Sequence, residues 1–191
     1  MSERTIESSP TKSPPPDERY RTSLSLFHEG LVQIPKDVSP PNKDNPTKGA
    51  ASGMIVIHEW ADFQCPFCGR VEATIKQILD KYGDKVTFVW HNMPLPFHEN
   101  AGPAAEASIE VFQQKGSTAF WAFHDALYSD QGHIDDPHLW ARCEALGLDV
   151  ERFQRDRRDP DLQSRVREDV RDALRAGATA TPTLFGLDPV P

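Results

Sequence analysis

Cysteine is scarce: three residues among 191. That is too few for a disulfide-stapled scaffold, and a chain of this length can build a hydrophobic core without staples. Each cysteine therefore needs a reason of its own. Long apolar runs are also missing. None approaches the roughly 18 residues of a membrane-crossing helix, so no transmembrane span is expected. Positive charge is not in excess. The chain has 21 Lys and Arg against 29 Asp and Glu, a formal net charge of -8. A nucleic-acid partner calls for the opposite sign, so none is expected. The opening residues Met1-Ser2-Glu3-Arg4-Thr5 lack the charged and then apolar run of a secretory signal, so either the protein is cytosolic or its signal has been removed.

Proline is plentiful and uneven. Eight of the 17 prolines fall in the first 46 residues. The first 50 residues hold seven basic and seven acidic groups, so the whole net charge of -8 lies beyond them. Residues 1–50 read as a mostly disordered, proline-rich tail with a short strand at 31–34, and 51–191 as one domain. Met54–Trp60 is a continuous, β-branched apolar run, as in a strand buried on both faces. A helix follows over Pro66–Tyr82, where Val71, Ile75, Ile78, Leu79 and Tyr82 share one face and Pro66 suits the first turn. Val86–His91 is a second strand, which completes a βαβ unit. Residues 101–176 then read as helices only. Segments are expected at Pro103–Lys115, after a Ser117 cap, from Asp136-Pro137 to Gly147, and from Asp159-Pro160 to Gly177. The last of these should carry Leu162, Val166, Val170 and Leu174 inward and Asp169 outward. Thr181–Phe185 is a third strand entered through a proline. No internal repeat is visible.

The sharpest feature is Cys65-Pro66-Phe67-Cys68. It lies between a buried strand and an amphipathic helix, which puts Cys65 at the helix N-terminus. The unpaired N–H groups and the helix dipole favour a thiolate there, the form that attacks disulfides. Cys68 lies one turn on, where it can close a disulfide with Cys65 or release a mixed disulfide. Pro66 and Phe67 form the active-site turn. Two other readings exist. The pair could be half of a zinc site completed by Cys143 and a histidine, or a purely structural pair. No second CxxC or close Cys/His pair accompanies it, and a CxxC beside a βαβ pattern favours redox chemistry without metal or other cofactor.

The segment Glu59-Trp60-Ala61-Asp62-Phe63-Gln64-Cys65-Pro66-Phe67-Cys68-Gly69 resembles the active-site signature of the DsbA-like branch of the thioredoxin superfamily. Pro94–Ala101, Leu146–Phe153 and Gly177–Thr183 resemble further stretches of that group in the same order. The resemblance covers about residues 31–186. It implies an α/β thioredoxin-like fold with an all-helical insertion at about 101–176. It also implies that Cys65 is the nucleophile, that Cys68 is the resolving cysteine, and that Thr181-Pro182 has a cis peptide bond facing Cys65. Residue 181 would then offer its backbone to a substrate peptide as an added strand does. The family pattern continues past the third strand with another strand and a helix, whereas here Pro189 and Pro191 break the chain. A fold without those last elements, with an edge open to pairing with another chain, is expected.

Glu59 is a candidate proton relay beneath the cysteines. Asp62 reads as a solvated strand end or a helix cap, and His98 as a loop-packing residue. His58, His91 and His124 read as core or surface residues rather than ligands, and Cys143 as a buried, inert thiol. The function that follows is thiol–disulfide exchange on cysteine-containing proteins, with a separate recycling partner. The family leans towards oxidation in the cell envelope, and the lack of a signal also suits a cytosolic reductase. The alternative is a non-catalytic thioredoxin-like binding module.

Overall fold

The computed structural model describes residues 38–157 and 159–187. The tail before residue 38, the strand expected at 31–34 and the closing prolines Pro189 and Pro191 lie outside the described residues. Among the described residues there are four strands: β1 (Thr47–Gly49), β2 (Ile55–Ala61), β3 (Val86–Asn92) and β4 (Thr183–Leu187). Five helices accompany them among the same residues: α1 (Pro66–Tyr82), α2 (Ala101–Ser129), α3 (Asp136–Ala145), α4 (Val150–Asp156) and α5 (Pro160–Ala176). The strands form one sheet in the order β1-β3-β2-β4. β2 and β3 are parallel, while β1 and β4 run antiparallel to their neighbours.

The two central strands are the apolar runs that the sequence marks, and every residue of β3 is buried. Their side chains alternate between two packed faces. Ile57 and Ala61 of β2 and Phe88 and Trp90 of β3 face a core shared with α1, α2 and α3, including Ile75, Phe120, Phe123, Leu127 and Cys143. Trp60 faces the other side, against Met93, Ala173, Ala176 and Phe185. The sheet thus has helices on both faces, and the helix-only reading of 101–176 holds.

Several details differ from the sequence reading. Residues 47–49, read as the end of the tail, are an edge strand paired with Thr87–Val89. Three residues carry no periodicity, and the strand is also anchored from α2: the Trp121 indole N–H and the Ser117 hydroxyl both donate to the Thr47 carbonyl, at 2.8 and 3.0 Å. Ser117 is therefore not a cap. The break in α2 comes instead from Gly116, whose φ of 74° and ψ of -167° are non-helical. α3 is capped by Asp135 rather than Asp136, and α4 was not anticipated as an element.

The inward face of α5 is also rotated. Leu174 is 58% exposed and Asp169 only 5%. The small residues Ala173 and Ala176 bring this helix close to the sheet. There the Asp169 carboxylate accepts the Asn92 backbone N–H at 3.0 Å, beyond the reach of β1. The indole N–H of Trp60 donates to the Asp169 carbonyl. A backbone donor at the sheet edge sets the helix's rotation more strongly than one leucine does.

Candidate active site at the start of α1

Cys65 is the N-cap of α1, with φ -71° and ψ 119°, and its side chain makes no cap hydrogen bond. Pro66 opens the helix, as its missing N–H allows. Cys68 lies in the first turn and is fully buried. Both thiols are free, as is that of Cys143. The Cys65 thiol points at the Thr181 carbonyl oxygen, with Sγ 3.5 Å away. The Thr181–Pro182 peptide bond is cis, as the resemblance implied. β4 explains the approach: Thr183 pairs with Trp60, so the 181–182 turn meets the loop that carries β2 into Cys65.

Burial pushes the Cys68 thiol far up, and the neighbouring Cys65 adds to this. The Asp62 backbone and the Thr181 hydroxyl oppose the rise. The hydroxyl reaches towards Cys68 without the geometry of a full hydrogen bond. A thiolate formed on Cys68 therefore has a strong tendency to take up a proton.

Glu59 sits in the middle of β2 between Trp90 and Leu184, on the core side of the sheet. It is fully buried, and neither carboxyl oxygen has a hydrogen-bond partner among the described residues. Burial, with repulsion from Glu72, raises its carboxyl well above the usual carboxylate range. A buried acid without partners stays protonated, because an ion there would lack compensation. The hydroxyl of Tyr128 is raised for the same reason of burial, and it feels Cys68, Glu59, Glu72 and Asp62 together. These groups therefore share one electrostatic environment.

Asp62 is neither solvated nor a cap of α1. It is buried and ties its own loop to the 95–98 loop. One oxygen accepts the Gln64 N–H at 2.7 Å; the other accepts the Leu95 N–H at 2.9 Å and bonds the His98 ring at 2.7 Å. His98 thus has the loop-packing place expected of it. Phe67, in the turn between the cysteines, is exposed, and the Arg70 guanidinium lies over its ring at 4.3 Å.

Gln131 was missed by sequence reasoning. Its amide donates to both the Phe63 and the Cys65 carbonyls at 2.9 Å, which fixes the loop entering the motif. The only sequence trace of it is Gly69, since a Cβ there would lie 2.5 Å from the Gln131 side-chain oxygen.

Cys143 is buried in the core and its thiol is pushed up to about 12, chiefly by burial. Among the described residues, no cluster with metal-ligand spacing includes a cysteine. His58 and His91 bond one another at 2.9 Å and stack with Trp60 on the opposite face of the sheet, away from Glu59.

A sequence model of the family described as Thioredoxin matches residues 42–186. Among solved structures, the chain is similar to DsbA2 of Pseudomonas aeruginosa, at 30% identity and a TM-score of 0.63, covering 78% of this chain and 82% of that one. It is similar to a thioredoxin-like oxidoreductase from Silicibacter pomeroyi, at 26% identity and a TM-score of 0.68, covering 78% and 83%. Among curated proteins, it is 33% identical over 172 residues to Na(+)/H(+) antiporter NhaA 1 of Salinispora arenicola. That match takes in 90% of this chain, but the chain spans only about a quarter of the antiporter's length, 25%. The match of the family model over residues 42–186, with the fold and these neighbours, places the chain in the thioredoxin family, as a DsbA-like member of the thioredoxin superfamily.

Proposed function

We propose that the protein is a thiol–disulfide oxidoreductase whose redox centre is Cys65-Pro66-Phe67-Cys68, working in the oxidising direction on cysteine-containing proteins. The likeness to DsbA-type neighbours supports this general chemistry. The observation that carries the finer reading is the position of the Cys65 thiol, at the N-terminus of α1 and 3.5 Å from the Thr181 carbonyl.

In the oxidised protein, a substrate thiolate attacks Sγ of Cys65. The Cys65–Cys68 bond breaks, a mixed disulfide forms on Cys65, and Cys68 leaves as a thiolate. Glu59, held protonated by burial, supplies the proton that this buried thiolate takes up. A second substrate thiolate then attacks the substrate sulfur of the mixed disulfide and releases Cys65, so two electrons pass from the substrate dithiol to the protein. The substrate chain lies along Thr181 and Pro182, whose backbone borders the reacting sulfur. Pro66 and Phe67 shape the turn, and the exposed Phe67 ring offers an apolar contact beside it. A second redox protein reoxidises the pair. The antiporters' ion transport is not carried over to this chain, whose match covers a quarter of theirs.

The test is a trap. Cys68→Ser incubated with an oxidised cysteine peptide should accumulate a mixed disulfide on Cys65, and Cys65→Ser should not. Equal adducts on both variants, or none on Cys68→Ser, would remove Cys65 from the nucleophile's role.

A further inference from the structure

One turn beyond Cys68 on α1, Glu72 faces a cleft of about 450 Å³ that is not the redox site. Its walls include Lys48, Glu72, Leu79, Trp121 and Asp125. Behind them lies His124 of α2, 1% exposed. Its Nδ1 bonds an Asp125 carboxylate oxygen at 2.9 Å. Its Nε2 has no hydrogen-bond partner among the described residues, and neither does the buried Oε1 of Glu72, 3.7 Å away. That gap is too long for a hydrogen bond. Two ligands of a tetrahedral zinc, each at about 2.1 Å, stand about 3.4 Å apart. One ligand atom from each of Glu72, His124 and Asp125 lies within 4.8 Å of the others.

We propose that Glu72 Oε1 and His124 Nε2 bind a divalent metal ion of the zinc class, with Asp125, on the other ring nitrogen, orienting the imidazole and adding negative charge. Its donors are distinct from the two thiols. A buried imidazole nitrogen and an adjacent buried carboxyl oxygen, both without partners, are costly in an apolar setting, and a cation joining them removes both costs. Burial keeps His124 from protonating, which leaves a neutral imidazole as a ligand. Burial and the nearby Asp125 raise the Glu72 carboxyl to about 7, so negative charge is crowded there, and a cation would relieve the crowding. An imidazole with a carboxylate suits Zn²⁺, Co²⁺ or Ni²⁺ better than Mg²⁺ or Ca²⁺, which favour all-oxygen shells. The open cleft leaves room for water in the remaining positions. Lys48 is the competitor. Its ammonium lies 3.9 Å from Asp125 and over the Trp121 ring, and it must swing towards solvent for the ion to enter.

The test uses the full chain carrying Cys65→Ser and Cys68→Ser, so that those thiols hold no metal. Zn²⁺ is titrated against a chromophoric chelator, and Co²⁺ is added separately for its visible spectrum. The expected result is one Zn²⁺ per chain and a Co²⁺ spectrum without a thiolate charge-transfer band. In this background Glu72→Gln and Asp125→Asn should each weaken binding at least tenfold, with metal-free melting temperatures close to the parent's. Lys48→Met should tighten binding several-fold, an effect that misfolding does not produce. No stoichiometric Zn²⁺, binding indifferent to Glu72→Gln, weaker binding in Lys48→Met, or a thiolate band would each overturn the site.

Discussion

Glu59 and His58 are adjacent in sequence and titrate in opposite senses, because each is buried in its neutral form on its own face of the sheet. The Glu59 carboxyl is raised in the folded chain. Above the ordinary carboxylate value of 4.5 the unfolded chain has released that proton while the folded chain still holds it. Stability contributed here is therefore complete below pH 4.5 and declines as pH rises, until Glu59 itself ionises. Glu59→Gln should flatten that decline and melt higher than the parent at pH 8. It should also slow disulfide exchange about 100-fold, the scale of a lost general acid. A variant that is more stable and equally fast would leave Glu59 with a purely structural place. His58 is lowered from 6.5 to about 3, by burial first and by His91 second, with Asp169 standing beyond His91. Its contribution is present above pH 6.5 and is lost as pH falls towards 3, by about 1.4 kcal/mol per pH unit. Urea melts of His58→Gln against the parent at pH 4 and pH 7 should show the variant's acid-side slope reduced. Equal slopes would contradict the assignment.

At the scale of elements, the sequence was most legible where a pattern is local. β2, α1 and β3 are within a residue of their expected bounds, because a β-branched run and a one-faced helix each announce themselves. α5 shows the limit. Its ends followed from Asp159 and Gly177, but its rotation did not, since Asp169 turns inward for a backbone donor 77 residues away. β1 shows it again, as the carbonyl of its first residue, Thr47, is held by two groups on α2. The kink in α2 has a simpler cause. Nothing lies within 4 Å of a Cβ built on Gly116, so crowding does not require glycine there, but its backbone conformation does. Gly116→Ala should cost about 1–3 kcal/mol from conformation alone, measured as a lower urea midpoint with an unchanged m-value. An unchanged midpoint would mean that the two halves of α2 can straighten.

Across the whole molecule, the candidate site is assembled from segments that meet only in the fold. The CxxC and its place on a helix could be read directly, and the turn at Thr181 through resemblance. The groups that hold them could not. Gln131 reaches the Cys65 carbonyl from 66 residues away, and Asp62 ties Leu95 and His98 across more than 30. An isolated Gln or Asp in a sequence carries no mark of the backbone it will meet. The fold gives the three cysteines different fates: Cys65 beside Thr181, Cys68 beneath it, and Cys143 enclosed in the helical core. The direct test of the central claim is to equilibrate the protein in glutathione buffers of graded potential, alkylate the free thiols, and locate them by mass spectrometry. A reversible two-thiol transition confined to Cys65 and Cys68, with Cys143 unchanged throughout, is the predicted result. No reversible transition, or one that includes Cys143, would contradict the assignment of a Cys65–Cys68 redox centre.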